Sequence, residues 1–169
     1  MEPVTIYYLE MRDPGHLEPS PPAPGTPTVA ECLVKQHRLN RFLYRWVGEQ
    51  WQWTDKLGWS DDAWQTYVYA PNLKTYIAYE HGAIVGYYEL QRQKRPDGFD
   101  VEIIYFGLTE SFIGHGYGGW LLTSAVQHAW AWDATRVWVH TCSLDHPAAL
   151  ANYQARGFRL YRVAQPTAD

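Results

Sequence analysis

The run Gly114-His115-Gly116-Tyr117-Gly118-Gly119 separates a β-branched and aromatic stretch, residues 101–108, from an apolar-striped stretch that begins at Leu121. Glycines carry no Cβ and take left-handed conformations at little cost, so a chain can turn sharply here with its backbone close to a ligand. The first turn of a following helix brings unpaired N–H groups and the positive end of its dipole to the same place. Strand, glycine loop and helix in that order predict an α/β chain with an anion site at the loop, whose natural occupant is a phosphate or pyrophosphate.

Side chains at fixed offsets separate the proteins that use glycines this way. A nucleoside-triphosphate loop needs Gly-Lys followed by Ser or Thr, and no lysine lies beyond Lys94. Gly114, Gly116 and Gly119 satisfy the spacing of a dinucleotide fingerprint, but that fingerprint opens the first βαβ unit and is followed by an acid about 20 residues on. Here the next strand, Arg136-Val137-Trp138-Val139-His140-Thr141, ends without a carboxylate, and a long stretch of chain precedes the loop. Dinucleotide binding is therefore heavily discounted.

A third use of such glycines remains. The segment resembles the acyl-coenzyme A loop of the GNAT superfamily of N-acetyltransferases, whose pattern is Arg or Gln, two residues, Gly, any residue, then Gly or Ala. It falls on Ile113, Gly116 and Gly118, matching the glycines and departing at the first position. Upstream, residues 101–108 resemble the family's fourth strand, with Glu102 where histone-acetylating members carry their general base. Downstream, Ala149, Tyr153, Gly157 and Phe158 fit the family's A-x-x-x-Y-x-x-x-G-F ending. The resemblance covers residues 74–163 and rests on three motifs in the correct order.

The resemblance implies a GNAT fold: an α/β chain with a central mixed, mostly antiparallel sheet, helices on both faces, and strands splayed around an acyl-CoA site. It implies an N-acyltransferase that moves an acetyl or short acyl group from acetyl-CoA to a primary amine by direct attack in a ternary complex. A primary amine is mostly protonated at neutral pH, with a reference pKa of about 10.4, so a base must act first. Glu102 is the candidate, directly or through a water. The family's oxyanion donor and pantetheine contacts fall on the backbone of Phe106, Gly107 and Leu108. Its general acid, which protonates the leaving thiolate, falls on Tyr153. The pyrophosphate cradle falls on Ile113, Gly114, His115, Gly116, Tyr117, Gly118 and Gly119, and a cofactor-facing asparagine position, twelve before Phe158, holds His146. With Ile113 and His115 in place of basic residues, this loop would bind by backbone and dipole. Without the motifs, Glu102 reads better as a solvated or ion-paired strand residue, and Tyr153 equally well as a core aromatic. The alternative function is a catalytically silent acyl-CoA-binding module.

Composition bounds the rest. The chain has 169 residues, enough for one domain over residues 1–169 with a sizeable core. A net charge of −4 argues against a nucleic-acid surface or a polybasic membrane anchor. No apolar run approaches membrane-spanning length and Met1-Glu2-Pro3 carries no secretory signal, so a cytoplasmic location is expected. Cys32 and Cys142 form no C-x-x-C pair and read as reduced thiols. His140, Cys142, Asp145 and His146 match no standard zinc spacing, so no metal is expected and a strand end lining a pocket is the better reading.

Nine tryptophans are many for this length. Trp46 and Trp53, at helical spacing, read as core, and Trp51 and Trp59 as pocket walls suited to an aromatic or cationic amine. A small molecule is the preferred acceptor, a protein amine the other, and exposed aromatics leave a homodimer open.

Local patterns predict a strand at 4–11, then an extended proline-rich connection at 14–27 that excludes helix and central strand. A helix from about Arg38 bends or ends near residues 52–54, and a second runs from an N-cap at Ser60 to about Tyr69. Strands follow at 75–80 and 84–91 about a His81-Gly82 turn, then a polar loop at 94–98 and the Glu102 strand. Leu121, Leu122, Ala125, Val126 and Ala129 mark a helix with one buried face. A strand at 136–141, a helix at 148–156 capped by Gly157, and a strand at 158–163 complete the order β-α-α-β-β-β-α-β-α-β.

Overall fold

The computed structural model describes residues 3–166. Seven strands form one sheet: β1 (Ile6–Met11), β2 (Thr28–Glu31), β3 (Leu73–Glu80), β4 (Ala83–Arg95), β5 (Gly98–Leu108), β6 (Arg136–Cys142) and β7 (Arg159–Ala164), in the spatial order β2-β3-β4-β5-β6-β1-β7. Every neighbouring pair is antiparallel except β5 and β6. That exception follows from connectivity, because α3 (Gly118–Trp130) carries the chain from the end of β5 back to the start of β6, and only such a crossover joins parallel neighbours. The result is the mostly antiparallel mixed sheet expected of the GNAT fold.

Helices cover both faces. α3 lays Leu121, Leu122, Ala125, Val126 and Ala129 against one face, all fully buried, together with Tyr153 from α4 (Ala149–Ala155). Burying each large side chain of this stripe contributes roughly 1.5–3 kcal/mol. On the other face, α1 (His37–Gly48) and α2 (Asp61–Tyr69) bury Leu43, Tyr44, Val47, Trp64 and Val68. Ser60 caps α2 as expected, its hydroxyl accepting from the Ala63 N–H at 3.1 Å. α1 stops at Gly48, a 3-10 turn spans Glu49–Trp51, and Gln52 takes a left-handed φ of 56°, so the chain turns where the pattern foretold a bend.

Two expectations need correction. Short β2 follows directly on the prolines and was not foreseen, so the order gains a strand: β-β-α-α-β-β-β-α-β-α-β. Four residues with one apolar alternation carry too little periodicity to read, and β3 supplies the pairing. The polar loop at 94–98 is largely strand, because Arg95 pairs with Gly98 and leaves a two-residue Pro96-Asp97 turn. Gly98, with φ +149°, takes the conformation that closes it.

The proline-rich segment is strapped across the start of α3. Glu18 N–H donates to the Arg156 carbonyl at 2.9 Å, Ser20 N–H to Thr123 Oγ1 at 3.0 Å, and Thr26 N–H to Glu80 Oε1 at 2.6 Å. A Cβ on Gly25 would sit 1.9 Å from that Glu80 oxygen, so only glycine lets the strap lie so close.

Candidate functional site

β5 and β6 pair only from Asp100–Arg136 to Ile103–Val139. Beyond that β6 stays beside β1, while residues 104–108 of β5 keep only β4. The strands part, and a cavity of about 1160 Å³ opens between them. That exceeds the roughly 300–1,000 Å³ of a site for one small ligand. Its walls include Ile104 to Leu108 from β5, His140 to Cys142 from β6, the glycine loop at Gly114, Gly118 and Gly119, and Asn152 and Tyr153 from α4. The unpaired edge of β5 presents backbone N–H and C=O groups to it.

A β-bulge sets which side chains enter. Glu89 of β4 faces Tyr105 and Leu90 faces Ile103, so Ile104 is the extra residue. Val101 and Ile103 point to the α3 face and Glu102 to the other. After the bulge the parity flips: Tyr105 packs with the α1–α2 cluster and Phe106 with the α3 cluster. Glu102, Ile104 and Tyr105 thus share one face, which strict alternation does not allow.

Glu102 is buried, with 7% of its surface exposed, and lines the cavity. Its carboxylate accepts from Gln93 Nε2 at 2.9 Å and lies 3.4 Å from His140 Nδ1. Its partners are polar, not the apolar Ile103 and Ile104 beside it in sequence. His140, on the far wall, has its pKa raised by the hydrogen bond to Glu102 and the negative charge there, against a lowering by burial.

Tyr153 is buried and held edge-on to Phe106 and Phe158, with ring centroids 6.3 and 5.9 Å apart. Burial raises its pKa, so the phenol keeps its proton. Phe106, Gly107, Leu108, Ile113, Gly114, Gly118, Gly119 and His146 also line the cavity. Gly114 has φ +78°, and a Cβ there would meet open space, so the glycine is required by backbone conformation. His146 Nδ1 accepts from the Ala148 N–H at 3.0 Å, which leaves Nε2–H as the donor of a neutral ring.

Three residues of the expected cradle, His115, Gly116 and Tyr117, do not line the cavity. Exposed His115 and Gly116 are not among the lining residues, and Gly116 faces Pro24 of the strap. The Tyr117 side chain turns inward, its hydroxyl donating to Glu80 Oε2 at 2.7 Å and its ring edge-on to Phe112. Tyr117 is an interior aromatic that joins the loop to the end of β3.

Among the described residues no group of three or more His, Cys, Asp or Glu is placed to hold a metal. Asp145 is instead tied to Thr141 Oγ1, the Cys142 N–H and the Trp53 indole N–H. Both cysteines are free. Among the described residues no helix is long and apolar enough to cross a membrane.

Trp51 and Trp59 line the cavity as expected. Trp53 packs on the α1–α2 cluster, as its spacing foretold, and also lines the cavity, because α1 ends before reaching it and the turn swings it across. Trp46 packs on the α1–α2 cluster and donates to Glu110 at 2.8 Å. Sequence reasoning missed Asp55, Lys56, Tyr67, Asn152 and Glu89. The first four lie on the cavity wall. Glu89 lies beneath it, fully buried, accepting from Tyr67 Oη at 2.5 Å and Asn40 Nδ2 at 3.2 Å. Burial pushes its pKa up to about 7 against those two hydrogen bonds. A single acid among Tyr87, Tyr88 and Leu90 in a strand pattern was the available signal.

Comparison with known proteins agrees with this geometry. No curated protein matches the chain. Among solved structures, a GCN5-related N-acetyltransferase from Sphaerobacter thermophilus superposes with a TM-score of 0.63 at 14% identity, over 96% of this chain and 50% of its own. This chain therefore spans about half the length of that relative. An aminoglycoside acetyltransferase from an uncultured soil metagenomic sample gives 0.60 at 16% identity, over 77% and 86%. An IAA acetyltransferase from Bacillus cereus gives 0.58 at 24% identity, over 81% and 79%. At these identities the likeness is one of fold. The description of the acetyltransferase (GNAT) family matches residues 40–158. With that match running from α1 through the glycine loop to Phe158, the chain belongs to the GNAT family of acetyltransferases.

Proposed function

We propose that this protein is an N-acetyltransferase that moves an acetyl or short acyl group from acetyl-CoA to a primary amine by direct attack, with both substrates bound. The observation that carries the reading is the placement of Glu102 and Tyr153 on the walls of one cavity at the parting of β5 and β6. Acetyl-CoA supplies the activated thioester. The unpaired edge of β5 at Phe106 to Leu108 fits its amide-bearing arm, and Gly114, Gly118 and Gly119 at the start of α3 fit its pyrophosphate.

Glu102 takes the proton from the amine. The protonated Glu102 is neutral, and His140 beside it accepts the proton onward, which restores the carboxylate. An N–H from the free edge of β5 receives the charge that develops on the carbonyl oxygen. Tyr153 then gives its proton to the departing sulfur, whose thiol has a reference pKa of about 8.5. Burial holds that proton on the phenol until the thiolate is generated. The acceptor is an amine that enters between Trp51, Trp53 and Trp59. A small molecule is favoured, because the acceptor side is a concave pocket walled by aromatic rings, and the fold likeness to an aminoglycoside acetyltransferase agrees with a cationic one.

The test is coenzyme A release, followed with a thiol reagent across a panel of amines. Release with at least one amine, lost in Glu102→Gln while acetyl-CoA still binds, supports the reading. Tight acetyl-CoA binding with no release from any amine refutes it in favour of a silent acyl-CoA-binding module.

A further inference from the structure

The cavity wall holds a cation site already filled by the protein itself. Lys56 lies on the irregular turn between the 3-10 turn and α2, with its side chain only 11% exposed. Its Nζ sits 4.6 Å from the ring centroid of Trp59, 4.9 Å from that of Tyr67 and 4.8 Å from that of Tyr105. The first two lie within the roughly 6 Å over which a ring face attracts a cation, while Tyr105 meets the nitrogen with its hydroxyl. The same nitrogen donates to Tyr105 Oη at 2.8 Å and lies 3.2 Å from Asp55 Oδ2. Asp55 in turn accepts hydrogen bonds from the hydroxyls of Tyr44 and Tyr105.

Three features mark this as a built site. The walls are fixed from behind: Trp59 meets Trp64 and Tyr67 edge-on at 5.5 and 5.6 Å, and Trp64 is fully buried. The counter-charge sits at the rim, where the Asp55 side chain is 59% exposed. Burial would raise the Asp55 pKa, but hydrogen bonds from Tyr105 and Tyr44 and the Lys56 charge prevail and lower it. Finally, all five residues line the same cavity as Glu102. A lysine on a turn ordinarily keeps its ammonium in water and its rotamer freedom, so a cage that draws it in has a real preference for an alkylammonium.

We propose that the cage of Trp59, Tyr67 and Tyr105, with Asp55, is a subsite for an ammonium group of the acceptor, and that Lys56 fills it in the resting protein and leaves when the acceptor binds. The inference rests on the acetyltransferase reading only for the word acceptor. Exchanging one ammonium for another leaves Asp55 paired and the charge of the site unchanged, and the displaced lysine gains full hydration. The ammonium in the cage is separate from the reacting nitrogen. Across the bulge Glu102 and Tyr105 face Gln91 and Glu89, two residues apart on β4, a backbone spacing of about 7 Å at roughly 3.4 Å per residue, which suits two nitrogens held a short chain apart. The acceptor class is thus a diamine or polyamine, one nitrogen facing Glu102 and another in the cage.

The test uses tetramethylammonium, a cation with no N–H to acylate, titrated into the intact protein while the tryptophan indole N–H signals are followed by NMR. Lys56→Ala is expected to bind it at least fivefold more tightly than the wild type, and Lys56→Ser to do the same. Adding Trp59→Leu should remove the gain, and neutral tert-butyl alcohol should show none. A gain under fivefold in the folded variants, its survival without Trp59, or an equal gain for the alcohol overturns the cage. A rise in KM confined to carboxylate-bearing amines in Lys56→Ala also overturns it, since Lys56 would then be an anion anchor. Cation binding without coenzyme A release from any amine keeps the cage and sinks the acetyltransferase reading. Release without cation binding does the reverse.

Discussion

Replacing Glu89 with Gln should change how stability depends on pH. Glu89 is fully buried, and its carboxyl is raised from 4.5 to about 7. A raised acid binds a proton more tightly in the folded than in the unfolded chain, so stability falls as pH climbs from the unfolded value through the folded one. Both ends of the window are fixed by that shift: little is lost below pH 4.5, and the loss is complete above about pH 8. With 1.36 kcal/mol per pKa unit, the full loss is about 3 kcal/mol, of which roughly 2.5 kcal/mol falls between pH 5 and pH 8. Gln at this position cannot ionise and shows none of it. It loses one hydrogen bond, since its amide nitrogen cannot accept from Asn40 as Glu89 Oε2 does, but that cost of about 1 kcal/mol is the same at every pH. Urea unfolding of both proteins at pH 5, 6, 7 and 8 isolates the term. With a slope of about 2 kcal/mol per molar urea, the wild-type midpoint should fall by about 1 M relative to the variant over that range. Parallel midpoints, within about 0.2 M, would refute the argument that Glu89 is a desolvated acid.

Glu102→Gln and Tyr153→Phe should each lower kcat by about 10²–10⁴, with acetyl-CoA affinity within threefold of wild type by calorimetry. In Glu102→Gln the His140 pKa should drop, read from its ring signals by NMR. Because Glu102 raises that pKa, the stabilising pairing is present below about pH 6.5 and is lost as pH rises through the raised value. Gly114→Val should weaken acetyl-CoA binding about tenfold or more by calorimetry, since φ +78° costs a β-branched residue roughly 1–3 kcal/mol and space is not the obstacle. Leu121→Ala should cost about 2–5 kcal/mol in urea unfolding, because its side chain is fully buried between α3 and the sheet.

Long periodic elements and punctuated helix ends were readable in the sequence. α3 followed from its apolar stripe, α2 from Ser60 and its two acids, and the β3–β4 turn from His81-Gly82, both of which take positive φ. The glycine loop and the Glu102 strand announced two walls of the cavity. The cavity wall of Asp55, Lys56 and Tyr105 was hidden for a physical reason. Asp55 and Lys56 sit on an irregular turn with no period, and Tyr105 reaches their face only because the bulge at Ile104 reverses the alternation of β5. A bulge arises from the pairing of two strands, and nothing in either strand alone predicts it. β2 was missed for a related reason, its strand character being supplied by the neighbour it pairs with.

The single parallel joint between β5 and β6 has a bearing on how the chain assembles. Strands β2 to β5 are neighbours in both sequence and sheet order, apart from the α1–α2 excursion, so that half can form while the rest is being made. β1 cannot join it. Its partners are β6 and β7, where Tyr8 meets His140 and Arg162, so the first strand waits for the last to emerge. Until then, apolar Leu9 and Met11 have no sheet to cover them. Contacts of such long sequence separation form slowly, and an uncovered strand is an invitation to pair with another chain. The step that docks β1 between β6 and β7 also completes the wall that carries His140. Assembly of the cavity and closure of the sheet are therefore one late event, and a partly folded chain has a glycine loop but no cavity.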